Sequence, residues 1–136
     1  MDKYDMQNEE IYKYNILLYE RPLQCVDAFC MRFEKKDYIC INNNKNFSKN
    51  SKYWMIEHEL EHIKNDTFYT CENKKIAIQR RERKTNDALI LKHGLVGPVL
   101  DCLKHGLDKW EICEHYEIPF DLFDHILDYI RRKELK

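Results

Sequence analysis

The segment His58-Glu59-Leu60-Glu61-His62 carries the chain's most specific chemistry. It is an HExxH pattern, and the pattern works only on a helix. Residues four apart lie on one helical face, so both imidazoles can reach a single metal ion. Glu59 lies about 100° round the helix from His58. That places a carboxylate beside the metal's water without making it a ligand. A helix over 51–65, capped by Asn50 or Ser51, would supply the frame. Ile56, Leu60 and Ile63 then form an i, i+4, i+7 stripe for the core. Glu57, Glu61 and Lys64 form a face suited to solvent. His58 and His62, with Met55 beside them, point away from the apolar stripe.

A catalytic zinc takes three protein ligands and keeps one position open. Glu82, twenty positions past His62, suits the third. It shares an inward-facing stripe with Ile78, Thr85 and Leu89, where an unpartnered carboxylate would be costly. Glu72 is the competing ligand, and Asp66 is placed to cap the helix or orient His62. Asn86, one turn beyond Glu82, has an amide oxygen that can accept the free ring N–H of a ligating histidine and fix its tautomer.

These segments together resemble the ImmA/IrrE metallopeptidases, whose members are encoded in mobile elements, phages and stress-response loci. Met55 to His62 resembles the family's AHELGH helix. Glu82-Arg83-Lys84-Thr85-Asn86-Asp87-Ala88 resembles its ExxAN segment, in which the glutamate is the third ligand. Ile39-Cys40-Ile41-Asn42 resembles the strand that leads into the site helix. The likeness spans about residues 15 to 130. Glu61 stands where the family has glycine and Thr85 where it has alanine, and neither change removes a ligand or the base. The resemblance implies a compact zincin-like fold, a bound Zn2+, and cleavage of a protein substrate, often a helix-turn-helix transcriptional repressor encoded nearby.

The expected architecture is α+β. Asn15–Tyr19 and Asp37–Ile41 have strand character, and Cys25–Phe33 fits strand or helix. An asparagine-rich loop at 42–46 follows, since asparagine competes for backbone hydrogen bonds and tolerates left-handed conformations. Helical patterns then cover 73–92, 98–106, 109–117 and 120–132. The expected organisation is a metallopeptidase domain over 1–106 with a C-terminal helical element over 107–136. In that element Asp108 to Glu111 reads as a capping box. Ile118-Pro119 breaks the helix, and Phe120, Phe123, Ile126, Leu127 and Ile130 form the next stripe. The pair resembles a helix-turn-helix, but Asp121, Asp124 and Asp128 on its exposed side would repel phosphates, so DNA is not the expected partner.

Bulk properties narrow the classes. The 136 residues carry a formal net charge of -1, with no global pull toward nucleic acid or anionic lipid. No apolar run is long enough to span a bilayer and the first residues are polar, so a cytoplasmic, membrane-free protein is expected. The six cysteines lack CxxC spacing and are read as reduced thiols. The expected chemistry is peptide hydrolysis with Glu59 as general base; Tyr69, His93 and His105 are candidate oxyanion donors. A non-catalytic regulator of the same fold, acting by protein or DNA binding, is the rival from another class, and a zinc hydrolase of non-peptide substrates is a third reading.

Overall fold

The computed structural model describes residues 1–66 and 75–133, the side chains of 75–78 excepted. It is a mixed α+β chain dividing into two compact units, Met1–Asn73 and Lys74–Lys136. Position 106/107, where the sequence reading begins a C-terminal helical element, lies inside the second unit. No described helix is long and apolar enough to cross a membrane.

The first unit contains helix α1 (Lys3–Lys13), strands β1 (Ile16–Arg21), β2 (Ala28–Phe33) and β3 (Lys36–Asn42), and helix α2 (Lys49–Lys64). The sheet order is β1-β3-β2, with β1 parallel and β2 antiparallel to β3. Alternation along the strands sends Ile39, Ile41, Ala28 and Cys30 to one face. There they meet the α2 stripe of Ile56, Leu60 and Ile63, joined by Ile16. The stripe expected from the i, i+4, i+7 spacing is therefore the core of this unit.

The segment left open between strand and helix is β2. It joins β3 through a two-residue turn, Glu34-Lys35, closed by the pair Phe33 and Lys36. Both turn residues have positive φ, 51° and 64°. Hairpins of this twist prefer Asn-Gly, and neither residue is of that kind, so the hairpin carries no turn signal in sequence. Asn42 ends β3 and is buried. Its side-chain oxygen accepts from the backbone N–H of Leu23 and Asn44, and its amide donates to the Val26 carbonyl.

Two differences from the sequence reading have one cause, helix α1. Its N-terminus is set by an Asp2–Asp5 capping box. It buries a glutamine, Gln7, instead of an apolar stripe. Gln7 Nε2 donates to the Tyr53 carbonyl at 2.8 Å and to Glu57 Oε1 at 3.4 Å. Lys64 Nζ lies 2.5 Å from Glu10 Oε2 and 3.6 Å from Glu61 Oε1. The face of α2 assigned to solvent is thus covered: Glu57 is 2% exposed and Glu61 7%. Glu61 does not point outward. Its carboxylate is buried with a cation to partner it. Lys3, 4.6 Å from the Tyr53 ring centre, adds a cation–aromatic contact to the same seam.

The second unit contains α3 (Lys75–Lys92), α4 (Val96–Lys104), α5 (Lys109–Tyr116) and α6 (Phe120–Arg132). The four helices fall where the sequence places them, within a few residues. The Asp108–Glu111 capping box that opens α5 is present. Leu89, Ile90, Val99, Ile112, Leu122, Phe123 and Ile126 are buried. α3 and α6 are tied by Arg132, which reaches Asp87 at 2.6 and 3.0 Å and Asp128 at 2.8 Å.

Candidate metal centre

Helix α2 brings the two histidines together. Ser48 caps it, its hydroxyl accepting from the Ser51 N–H at 3.1 Å. The expected caps, Asn50 and Ser51, are helical residues. Asn65 ends the helix, with its backbone N–H and its amide both donating to the Glu61 carbonyl. Asp66 caps the end of α2 through its backbone, its N–H donating to the Ile63 carbonyl at 3.2 Å, while its side chain turns to Arg32 and not to His62. It has positive φ and pairs with Arg32 on β2, Nη1 to Oδ1 at 2.5 Å.

Between those ends, His58 Nε2 and His62 Nε2 lie 3.1 Å apart, with ring planes at 76°. Two nitrogens bound to one zinc at roughly 2.0–2.1 Å in tetrahedral geometry would be separated by about 3.3 Å. The imidazole pair therefore already has the edge of such a site. His62 is buried and His58 half-buried, so the pair is shielded at one side and approachable at the other. Met55, expected beside the histidines, is half-buried and packs against the apolar core.

Glu59 is buried on the neighbouring face of the helix. The thiol of Cys30, on β2, lies near enough to feel the charge of this carboxylate. Burial, and then the nearby Glu59 charge, push the Cys30 thiol far above the usual thiol range, so Cys30 keeps its proton. Cys30 was not singled out in the sequence as a neighbour of Glu59. The signal available is weak: Cys30 and the core residue Ile39 are cross-strand partners, but only the strand assignment and register would have revealed it.

Helix α3 carries Glu82 and Asn86. Glu82 is half-buried while Thr85 and Leu89 are buried, in agreement with three members of the expected stripe; the side chain of the fourth, Ile78, lies outside those described, and Asn86 is also buried. Arg80, Arg83 and Lys84 are exposed on its other sides. Glu82 and Asn86 line a groove of about 510 Å3 with Gln79, Arg83, Asp87, His125, Asp128 and Arg132. Glu72 and Tyr69 lie outside the described residues. His105 bonds back to the Asp101 carbonyl at 2.8 Å, and His115 and His125 are exposed.

His58, His62 and Glu82 form a group able to hold a metal ion. One ligand atom of each lies within 4.8 Å of the others. The donor set fits a borderline cation of the zinc type, for which imidazole nitrogen and carboxylate oxygen are common ligands. The described cysteines, Cys25, Cys30, Cys40, Cys102 and Cys113, are all free. Searches against models of protein families, curated proteins and solved structures returned no match to this chain.

Proposed function

We propose that the chain is a zinc-dependent endopeptidase of the ImmA/IrrE kind, with a zincin-like site built from His58, His62 and Glu82 and with Glu59 as general base. The observation that supports this reading most is the convergence of two imidazoles and one carboxylate to within 4.8 Å. A buried carboxylate stands one residue along from the first imidazole. Two imidazoles alone would fit a structural or adventitious site. The added carboxylate base is the feature that hydrolysis requires.

Zinc held there would supply Lewis acidity and acidify a water molecule. The protein's own residues do the rest. Glu59 takes a proton from the attacking water on a carboxylate oxygen and returns it to the leaving amide nitrogen. The neighbouring Cys30 thiol, which keeps its proton, adds no second charge beside this carboxylate and leaves its acceptor capacity for the water. Asn86, buried on α3, is the candidate to orient a ligating imidazole. The substrate is a protein, with a helix-turn-helix repressor as the family-based expectation.

The test is cleavage of a repressor encoded beside this gene, followed on a gel with zinc, with chelator, and with zinc restored. The proposal expects chelator-sensitive cleavage that zinc recovers and that Glu59→Gln abolishes. Metal binding without cleavage, together with metal-independent binding to the repressor or to DNA, would favour the non-catalytic regulator.

A further inference from the structure

The corner formed by α5 and α6 exposes an aromatic pair in an acidic setting. Trp110, in the first turn of α5, is 71% exposed, and Phe120, which opens α6, is 39% exposed. Their rings meet edge to face at 4.7 Å. The inner sides of the same helices bury Ile112, Cys113, Leu122 and Phe123, so the core of the unit does not require Trp110. An indole left this open is costly in water and is the residue type most often found at the energetic centre of interfaces.

The charge around it is one-sided. The 17 residues from Asp108 to Asp124 contain six carboxylates and one lysine, a net of -5 in a chain whose total is -1. Glu114 lies one turn from Trp110 on the same face of α5, and Asp121 and Asp124 flank Phe120 on α6; all three are exposed. The single lysine shows what this corner accepts. Lys109 Nζ sits 5.1 Å from the Phe120 ring centre and 3.0 Å from Asp124 Oδ1, a cation held by a ring and a carboxylate together.

We infer that this corner is a docking surface for a cationic segment of another protein, one that lays an arginine or lysine on the Trp110 indole and places its neighbours against Glu114 and Asp121. Complementarity of sign selects this occupant. Nucleic acid and anionic lipid would be repelled, and a second copy of the chain would bring carboxylates against carboxylates. One guanidinium on an exposed ring contributes only about 0.5–1 kcal/mol. Useful affinity therefore needs several basic residues on one polypeptide. The inference is independent of the metal centre.

Fluorescence anisotropy of a labelled amphipathic peptide of alternating arginine and leucine, titrated with the full chain, tests this. The native protein binds it, and rising salt weakens the binding. Trp110→Ser weakens it about two- to fivefold, and the double substitution Glu114→Lys, Asp121→Lys abolishes it. Glu9→Lys, a like charge change on exposed α1, leaves it unchanged. Circular dichroism verifies that each variant is folded. No binding, or equal binding by the Trp110 and carboxylate variants, overturns the inference. So does a preference for duplex DNA or anionic vesicles, or self-association in sedimentation that Trp110→Ser removes.

Discussion

Glu59 and the two histidines make different demands on α2, and substitution separates them. Glu59→Gln keeps the shape but not the base, so zinc should stay bound while cleavage falls by about 10²–10⁴-fold; parallel measurement of metal content and turnover checks this. Cys30 and Cys25 form a second contrast. Cys25 is exposed, while the Cys30 proton is held by burial and by the Glu59 charge. A thiol reagent at mildly alkaline pH should modify Cys25 readily and Cys30 only after unfolding, as peptide mapping would show. The histidine pair and Glu59 were legible in sequence because HExxH spacing is set by helical geometry alone. The burial of Glu57 and Glu61 was not. Their spacing from Lys64 looks like a solvated face unless a second helix is known to cover it.

That second helix, α1, shows why element-level reading missed part of the fold. Its sequence, Lys3 to Lys13, has only a sparse apolar face; it attaches through Gln7, Lys3 and the Tyr4–Tyr53 ring contact, with Ile11 alone reaching the apolar core. Periodicity detects helices that pack by continuous hydrophobic faces, as it did for α2 and α6, and misses one whose buried centre is a hydrogen-bonded glutamine. Gln7→Leu should therefore destabilise the chain by roughly 1–2 kcal/mol despite adding an apolar side chain, because it strips a buried donor from Glu57 and from the Tyr53 carbonyl. Chemical denaturation of the variant provides the comparison. The β2–β3 hairpin makes the opposite case. Glu34 and Lys35 both occupy left-handed backbone, which costs roughly 1–2 kcal/mol per residue. Replacing the pair by Asn-Gly should raise stability by about 1 kcal/mol; an unchanged denaturation midpoint would show that this turn carries no such strain.

At the scale of the whole chain, the α+β composition and five of the six described helices were readable from pattern, and the sheet order was not. Strand order depends on which edges pair after the chain has crossed over, and no residue in β1 or β3 encodes that parallel neighbour by itself. The metal group belongs to this scale too, since its ligands lie on α2 and α3, far apart in sequence. Because the unfolded chain lacks the assembled ligands, zinc should stabilise the fold, by about 2.7 kcal/mol at a hundredfold excess over its Kd. A thermal melt should move upward with zinc and return with chelator, and His62→Ala should remove the response. The most direct test of the account is the zinc stoichiometry of loaded, desalted protein. One zinc per chain is expected for the native, Glu59→Gln and Glu72→Ala proteins, and loss of tight binding for His58→Ala, His62→Ala and Glu82→Ala. A native chain without stoichiometric metal, or a Glu82→Ala protein that holds zinc as tightly as the native one, would contradict it.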